Sequence, residues 1–215
     1  MRISSINIGE ANSIVHRGKT FVTGIDKYSA VGSVFVGVDG LGNDAICDLE
    51  HHGGPDQAVY AYSSDDYRWW SDQLASEVRA GTFGDNLTID GLPTDMNVGD
   101  RLLVRDVVLE ATSPRIPCST LAAQMQDSNF GLAFRRAERP GIYFRVLNEG
   151  EIAAGDSVTF VPNPDSDVSI LDIYRLAYEV RPAAASLHAV LDAPLAQRMR
   201  EKFEKQLDGL ASRNA

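Results

Sequence analysis

The chain has 215 residues, 44% of them hydrophobic, which suits one large domain, or one domain with a small appendage, around a substantial core. Its 20 Lys and Arg residues against 30 Asp and Glu residues give a formal net charge of −10, so duplex nucleic acid and anionic membranes are not expected partners. No window approaches the roughly 20 apolar residues of a membrane span, the N-terminus lacks a secretion signal, and two cysteines suit a reducing compartment, so we expect a cytoplasmic protein.

The first 160 residues consist largely of short runs rich in Val, Ile, Phe and Thr, separated by Gly, Asp, Asn and Pro. About seven such runs predict a mainly β fold, a barrel or a sandwich. Gly-Asp turns before two of the strands are typical of antiparallel pairing. The predicted strands are residues 20–23, 34–38, 58–62, 87–89, 101–112, 141–146 and 158–161.

One stretch inside this region has the pattern of a helix. Residues 64–66 supply capping side chains, and Tyr67, Trp70, Leu74 and Val78 then recur at three- and four-residue steps. We expect this helix to plug or flank the barrel, with its aromatic side chains packed in the core.

A run of helix breakers and caps at residues 162–167 predicts a domain boundary, with a β domain at 1–161 and a helical domain at 162–215. The second part has the pattern of three short helices, which could form a small bundle that depends on the β domain for stability. An exposed apolar face on that bundle would suit a homodimer. The helices are marked by Ile170, Ile173, Tyr174 and Ala177, by residues 183–191, and by Leu195, Met199, Phe203, Leu207 and Leu210.

Segment 51–56 reads His-His-Gly-Gly-Pro-Asp and precedes a predicted strand. Its glycines let main-chain N–H groups approach an anion closely, and an imidazole at its edge can donate to that anion. A tight turn with solvated histidines explains the same residues. A zinc site from Cys47, His51 and His52 is a third interpretation, but it lacks a fourth ligand at a familiar spacing.

Segment 113–120 reads Ser-Pro-Arg-Ile-Pro-Cys-Ser-Thr and follows the longest predicted strand. Ser119 and Thr120 begin a helical pattern, so Cys118 is expected at or just before a helix N-terminus, with Arg115 nearby. Both features favour a thiolate, which suits a nucleophile or a soft-metal ligand. The alternative is a buried cysteine acting as a small hydrophobe. Cys47 has no comparable polar surroundings and is interpreted as structural.

Two further segments carry polar side chains without a specific signal of their own. Segment 81–88 is a glycine-punctuated loop before a strand, in which Asn86 could position a ligand, although Asp-Asn before a strand is also ordinary turn chemistry. Lys27 lies between two predicted strands, where a lone lysine is usually only solvated.

Taken together, these segments resemble the MOSC family, the molybdenum cofactor sulfurase C-terminal domains, and within it the YiiM-like branch. The matching residues share the order and spacing of the family, over residues 1 to about 160, and the helical tail resembles the three-helix domain that YiiM-like proteins append. One departure is Asp85, where the family usually has glutamate. The matches are Lys27, His52, Gly53, Gly54, Asp56, the Gly84-Asp85-Asn86 loop and Cys118.

The resemblance implies a MOSC-type β-barrel with flanking helices, and a cleft for a molybdopterin-type molybdenum cofactor. Cys118 would be the sulfur ligand of the molybdenum or a persulfide carrier, and Cys118 and His52 would be the catalytic residues. The resemblance also implies an association with pyridoxal phosphate binding. The residues that would surround the cofactor are Lys27, His52, Gly53, Gly54, Asp56, Asn86, Arg115 and Cys118.

The resemblance also implies an activity, the reduction of N-hydroxylated bases and related N-oxygenated small molecules. The sequence has no Gly-x-Gly-x-x-Gly fingerprint and no Cys-x-x-Cys cluster, so an external redox protein is expected to donate the electrons. Two other functions stay open. One is a sulfur carrier or cofactor-handling protein with a Cys118 persulfide, and the other is a binding module whose histidine loop captures a phosphate-bearing molecule.

Overall fold

A computed structural model describes residues 1–48 and 53–211 of the chain. Within these ranges a sheet-dominated architecture carries helices at its faces and ends. The strands are β1 (Arg2–Gly9), β2 (Asn12–His16), β3 (Lys19–Thr23), β4 (Lys27–Ser29), β5 (Ser33–Gly37), β6 (Gly40–Leu41), β7 (Val59–Ser63), β8 (Leu87–Asp90), β9 (Arg101–Val104), β10 (Val107–Pro114), β11 (Ile142–Asn148), β12 (Gly150–Ala153) and β13 (Thr159–Val161). The helices are α1 (Ser64–Leu74), α2 (Ser119–Gln124), α3 (Phe130–Ala137), α4 (Ile170–Leu176), α5 (Ala184–Leu191) and α6 (Gln197–Ala211), with a 3₁₀ turn at Pro55–Gln57.

The main sheet has eight strands in the order β13-β9-β10-β11-β7-β8-β1-β4. Its neighbours are antiparallel except for β7 and β8, which are parallel. In the described ranges no ladder joins β13 to β4, so the sheet is open and the predicted barrel is not confirmed. A three-stranded sheet (β12-β5-β6) and the β2–β3 hairpin complete the β structure.

The turn before β13 brings segment 155–158 next to the start of β1, but the contact between them is short. Gly155, at φ 93°, turns the chain, and segment 155–158 then exchanges only a few main-chain hydrogen bonds with the start of β1. The Ile3 N–H donates to Asp156 O at 3.0 Å, and the Gly155 N–H donates to Ile3 O at 2.8 Å. After this segment the chain moves away from β1, and β13 pairs with β9.

The predicted strands are largely confirmed, with two differences that have local causes. Residues 101–112 form two strands, because Arg105 adopts a left-handed conformation at φ 51° and turns β9 into β10. Lys27 begins β4, where a loop was expected. Helix α1 is capped by Ser63, whose Oγ accepts from the Asp65 N–H, and ends at Leu74 before Val78.

The core has two parts. One cluster is continuous from the sheet to the C-terminal helices and includes the fully buried Leu109, Ile173 and Phe203. The other is aromatic and packs under α1, α2 and α3, where the Trp70 indole N–H donates to the Tyr62 hydroxyl at 2.8 Å. The aromatic residues of α1 therefore serve packing, as expected for Trp70.

The three C-terminal helices occur where the sequence predicts them. Ser169 caps α4 by accepting from the Asp172 N–H, and the third helix starts at Gln197, a few residues after Pro194. No helix in the described residues combines the length and apolarity needed to span a membrane.

Candidate functional site

An open cleft lies where the β2–β3 hairpin, the segment after β6 and the loops that lead into β7, β8 and α2 meet. It encloses about 650 Å³, a volume that includes open space at its mouth. Four residues predicted from the sequence line it in addition to Gly53, and they are Lys27, Asn86, Arg115 and Cys118. Further lining comes from Val22, Ile25, Asp44, Cys47, Asp48, Gln57, Tyr60, Phe83, Gly84, Thr120 and Tyr143, among others.

The close packing of the cleft wall depends on two glycines. A side chain on Gly9 would collide with the Gly24 carbonyl, and a side chain on Gly24 would collide with the Ala45 carbonyl. The Ala45 N–H donates to Gly9 O at 2.9 Å. The strand that ends at Gly9 can therefore lie directly against the cleft-lining segments around residues 24 and 45.

Cys118 is the N-cap residue of α2, as the sequence predicts. Its carbonyl accepts from the N–H groups of Leu121 and Ala122, and the residue is partly buried. Cys118 lines the cleft at the start of the helix, where the main-chain dipoles favour negative charge. Such a thiol can act as a nucleophile or as a soft ligand.

Arg115 is 4% exposed and also lines the cleft. Its Nε and Nη1 atoms are buried without a hydrogen-bond partner among the described residues, and its Cζ lies 5.2 Å from the centre of the Tyr60 ring. Burial by itself lowers the pKa of this guanidinium, but the facing Tyr60, Tyr143 and Cys118 outweigh it and raise the pKa above its ordinary value. A buried cation with open N–H donors has the chemistry to bind an anion.

Lys27 and Asn86 share a partner that sequence reasoning missed, Asp44. The Lys27 ammonium forms an ion pair with Asp44 Oδ2, and Asn86 Nδ2 donates to the same oxygen at 2.8 Å. Burial lowers the pKa of Lys27, and Asp44 opposes that shift. Because carboxylate and ammonium neutralise each other, the open positive charge among the described lining residues belongs to Arg115. Asp44 is in a polar turn sequence, which carried no signal of this partnership.

Asn86 is held in the cleft by the backbone around it. Its Oδ1 accepts from the Tyr60 N–H at 3.1 Å, and its own N–H donates to Tyr60 O at 2.7 Å. The preceding Asp85 is fully buried and accepts from Tyr67, Thr88 and Asn7 side chains and from the Gly81 N–H. Burial raises the pKa of Asp85, while Tyr67 and Thr88 oppose the shift.

The histidine loop is described only from Gly53 onwards, and His51 and His52 lie outside the described residues. Gly53 lines the cleft, whereas Gly54 and Asp56 are not part of its described lining. The Asp56 carboxylate instead pairs with Arg145 at 3.0 Å and accepts from the Gln197 N–H at 2.7 Å. In the described residues Asp56 therefore links the loop to the C-terminal helices.

Cys47 is exposed and lines the cleft, so burial does not support the structural role expected for it. The zinc interpretation joins Cys47 to two histidines outside the described ranges. Among the residues that are described, no three His, Cys, Asp or Glu side chains form a group suited to a metal ion.

Two tyrosines were also missed as cleft residues. Tyr60 and Tyr143 lie inside strands β7 and β11. At such positions the sequence pattern does not distinguish an aromatic residue that lines a cleft from one in the core. Their rings pack at 4.9 Å between centroids, and both line the cleft. Burial raises the pKa of both phenols. The Tyr60 hydroxyl donates to Pro140 O at 2.8 Å.

Comparisons with known proteins place the chain in one family. A model of the MOSC domain matches residues 48–159. The chain is 31% identical to the Bacillus subtilis protein YflK over 97% of this chain and 95% of YflK, and 26% identical to the Escherichia coli protein YiiM over 79% and 77%. It is 31% identical to a Gibberella moniliformis protein named Reductase over 74% of this chain, which spans 29% of that longer protein.

Solved structures give the same relationship. The crystal structure of YiiM from Geobacillus stearothermophilus superposes with a TM-score of 0.79 at 31% identity, covering 96% of this chain and 98% of that one. YiiM from Escherichia coli superposes with a TM-score of 0.76 at 23% identity, covering 97% and 94%. The resemblance to a MOSC and YiiM-like protein is thereby confirmed.

Proposed function

The chain belongs to the MOSC domain family, and from this premise we propose that its cleft binds a molybdopterin-type molybdenum cofactor and that the protein reduces N-hydroxylated bases or related N-oxygenated compounds. The observation that carries the proposal is the buried Arg115 guanidinium, whose Nε and Nη1 have no partner in the described residues. An anion would complete the hydrogen bonding of such a buried cation. The similarity to a protein named Reductase supports a redox role.

The residues present fit such a group in charge and in donor type. Arg115 offers open N–H donors for a phosphate or an oxo group, and Cys118 offers a sulfur, the soft ligand that suits molybdenum. The paired Lys27 and Asp44 offer a charge-neutral, hydrogen-bonding surface that suits a heterocycle. Gly53 gives access to main-chain atoms at the edge of the cleft.

When bound, the cofactor would supply the two-electron redox chemistry. Cys118 would hold it through sulfur, with negative charge on the sulfur stabilised by the α2 N-terminus and Arg115. Asn86, fixed by Tyr60, would donate to its polar groups. His52 would bind an anionic group or deliver the proton to the leaving hydroxyl, and Gly54 and Asp56 would shape the loop that carries it.

The pyridoxal phosphate association of the family would require a lysine amine free to form a Schiff base. Lys27 is the lysine of this cleft, and its ammonium is engaged by Asp44. The pairing favours the molybdenum cofactor over pyridoxal phosphate in our proposal.

Three broader parts of the proposal concern the cell and the partners. We propose that the protein acts in the cytoplasm, receives electrons from a separate redox protein, and forms a homodimer through its C-terminal helices. Light scattering of the purified protein tests the dimer, and a monomeric mass would reject it. Reduction assays with and without added electron-transfer proteins test the donor.

The deciding experiment measures molybdenum in protein purified from cells that make the cofactor. We expect stoichiometric molybdenum in the wild type and in Cys47→Ala, and its loss in Cys118→Ala, because both thiols line the cleft but only Cys118 caps a helix beside Arg115. Cyanide-releasable sulfur without molybdenum would instead identify a persulfide carrier. Phosphate binding without molybdenum and without cyanide-releasable sulfur would identify a plain binding module.

A further inference from the structure

The N-terminus of helix α6 contacts the loop that carries the family's glycine motif. Arg198, in the first turn of α6, donates from Nη1 to Gly53 O at 2.9 Å and to Gln57 Oε1 at 2.7 Å. Both acceptors belong to residues that line the cleft. A side chain from the C-terminal helices therefore fixes two groups in the wall of a site that is more than 140 residues away in sequence.

Neighbouring contacts dock the same end of α6 onto the glycine loop and onto the end of β10. The Asp56 carboxylate accepts from the Gln197 N–H at 2.7 Å, and a carboxylate at this position also complements the helix dipole. The Ala196 N–H donates to Thr112 O at 3.2 Å. Thr112 lies near the end of β10, the strand that leads to Arg115.

The loop needs such an external partner because its own backbone is permissive. Gly53 and Gly54 have φ values of 71° and 86°, and glycine rotates through this region with little cost. Since a peptide unit is planar, a hydrogen bond to Gly53 O also fixes the direction of the Gly54 N–H. The bond to Gln57 Oε1 likewise fixes that amide, with its Nε2 donors on the opposite side.

From these contacts we infer that Arg198 is a positioning residue of the cofactor site, and that helix α6 is part of the structure that shapes the cleft. The inference rests on the proposed function for the identity of the ligand, but the positioning of residues 53–57 does not depend on it. Arg198 also contributes charge, because its guanidinium, together with that of Arg115, opposes the rise that burial causes in the pKa of Tyr143. Removing a residue that orients the groups of a binding site is expected to change affinity by about 10- to 100-fold, the size of the effect seen for outer partners in metal sites.

Arg200 provides a matched control on the same helix. It also donates two hydrogen bonds to main-chain carbonyls, from Nη1 to Leu191 O at 2.7 Å and from Nη2 to Ala193 O at 2.8 Å. These acceptors lie in the C-terminal segment and not in the cleft. Arg200→Ala therefore removes a similar anchor of α6 without touching residues 53–57.

The first experiment follows amide hydrogen exchange of peptides covering residues 53–58 in the full chain. We expect faster exchange in Arg198→Ala, wild-type exchange in Arg200→Ala, and substantial rescue in Arg198→Lys, because one ammonium can donate to both acceptors. Unchanged exchange in Arg198→Ala, or equal acceleration in Arg200→Ala, would overturn the positioning role. A folded Arg198→Lys variant keeps the comparison available if the alanine variant does not fold.

The second experiment measures the affinity of the same variants for inorganic phosphate by calorimetry, and their molybdenum content after expression in cofactor-producing cells. We expect phosphate affinity to fall about 10- to 100-fold in Arg198→Ala, molybdenum content to fall with it, and Arg200→Ala to match the wild type. Wild-type affinity in Arg198→Ala would overturn the inference even if its loop exchanges faster. A wild type without molybdenum rejects the proposed function, and the inference is then decided by hydrogen exchange and phosphate affinity.

Discussion

Arg115 shows that a single residue can mark a binding site through buried polar atoms that lack hydrogen-bond partners. Buried polar groups in folded proteins are almost always hydrogen-bonded, because an unpaired one loses its hydration without replacement. Arg115 departs from this rule at two nitrogen atoms in the described structure, and they lie beside Cys118 in a cleft. A ligand that accepts from these nitrogens would remove this cost.

The first prediction is that Arg115→Met makes the ligand-free protein more stable, by about 1 kcal/mol or more, while it abolishes phosphate binding. Replacing buried charged groups by apolar side chains of similar volume is often neutral or stabilising, by about 1–4 kcal/mol, and two nitrogens of this guanidinium lack partners among the described residues. Denaturant unfolding and calorimetry measure the two effects. Arg175→Met, at an exposed ion pair with Glu138, is the control and should change neither the stability nor the phosphate binding by much.

The second prediction concerns Asp44, which neutralises Lys27 in the cleft. Asp44→Asn leaves the buried ammonium without its carboxylate, so we expect a loss of about 3–5 kcal/mol in stability. Phosphate should bind this variant more tightly than the wild type and restore part of its melting temperature. Thermal melts with and without phosphate measure this, with the exposed Asp39→Asn as control. A variant as stable as the wild type would mean that the ion pair does not hold Lys27 in solution.

At the scale of elements, loop 81–86 is held by one carboxylate. Asp85 receives hydrogen bonds from Tyr67 of α1, Asn7 of β1 and Thr88 of β8, as well as from the Gly81 N–H. It thereby joins a helix, two strands and a turn at the base of the cleft. Asn86 owes its place in the site to this network, since it follows Asp85 directly.

The third prediction is that Asp85→Asn costs about 2–4 kcal/mol of stability, because an amide NH₂ would face groups that donate, and leave buried donors unpaired. Molybdenum content should fall as Asn86 loses its placement. Asp90→Asn, at an exposed position of β8, the strand that follows this loop, serves as the comparison. Urea unfolding gives the stability, and equal midpoints for the two variants would contradict the bracing role of Asp85.

Elements whose information is local could be predicted from the sequence, and those set by distant contacts could not. The N-cap position of Cys118 follows from the prolines and the helical pattern beside it, and is confirmed. Strand β1 was missed because its alternation is interrupted by the bulge between Ile3 and Ser5. Asp44 and Arg198 were missed because their partners are 17 and more than 140 residues away.

At the scale of the whole molecule, the predicted boundary at residues 161 and 162 meets a core that is continuous across it. Helix α4 packs on β10, and Ile170 and Ile173 belong to the same buried cluster as Leu109 of the sheet. Polar contacts also cross the boundary, such as the hydrogen bond from the Asn163 N–H to Asp100 at 2.7 Å. Shared burial of this kind makes two halves unfold together, because neither keeps its apolar surface covered alone.

The fourth prediction is therefore that the full chain unfolds in one cooperative transition, and that a chain ending at Val161 does not fold on its own. Removing residues 162–215 would expose the apolar face beneath α4 and release the Arg198 bonds to Gly53 and Gln57. Scanning calorimetry of the full chain and a proton NMR spectrum of the shortened one provide the measurements. Two separate transitions, or a shortened chain with a dispersed spectrum and phosphate binding, would establish two independent domains and remove α6 from the cofactor site.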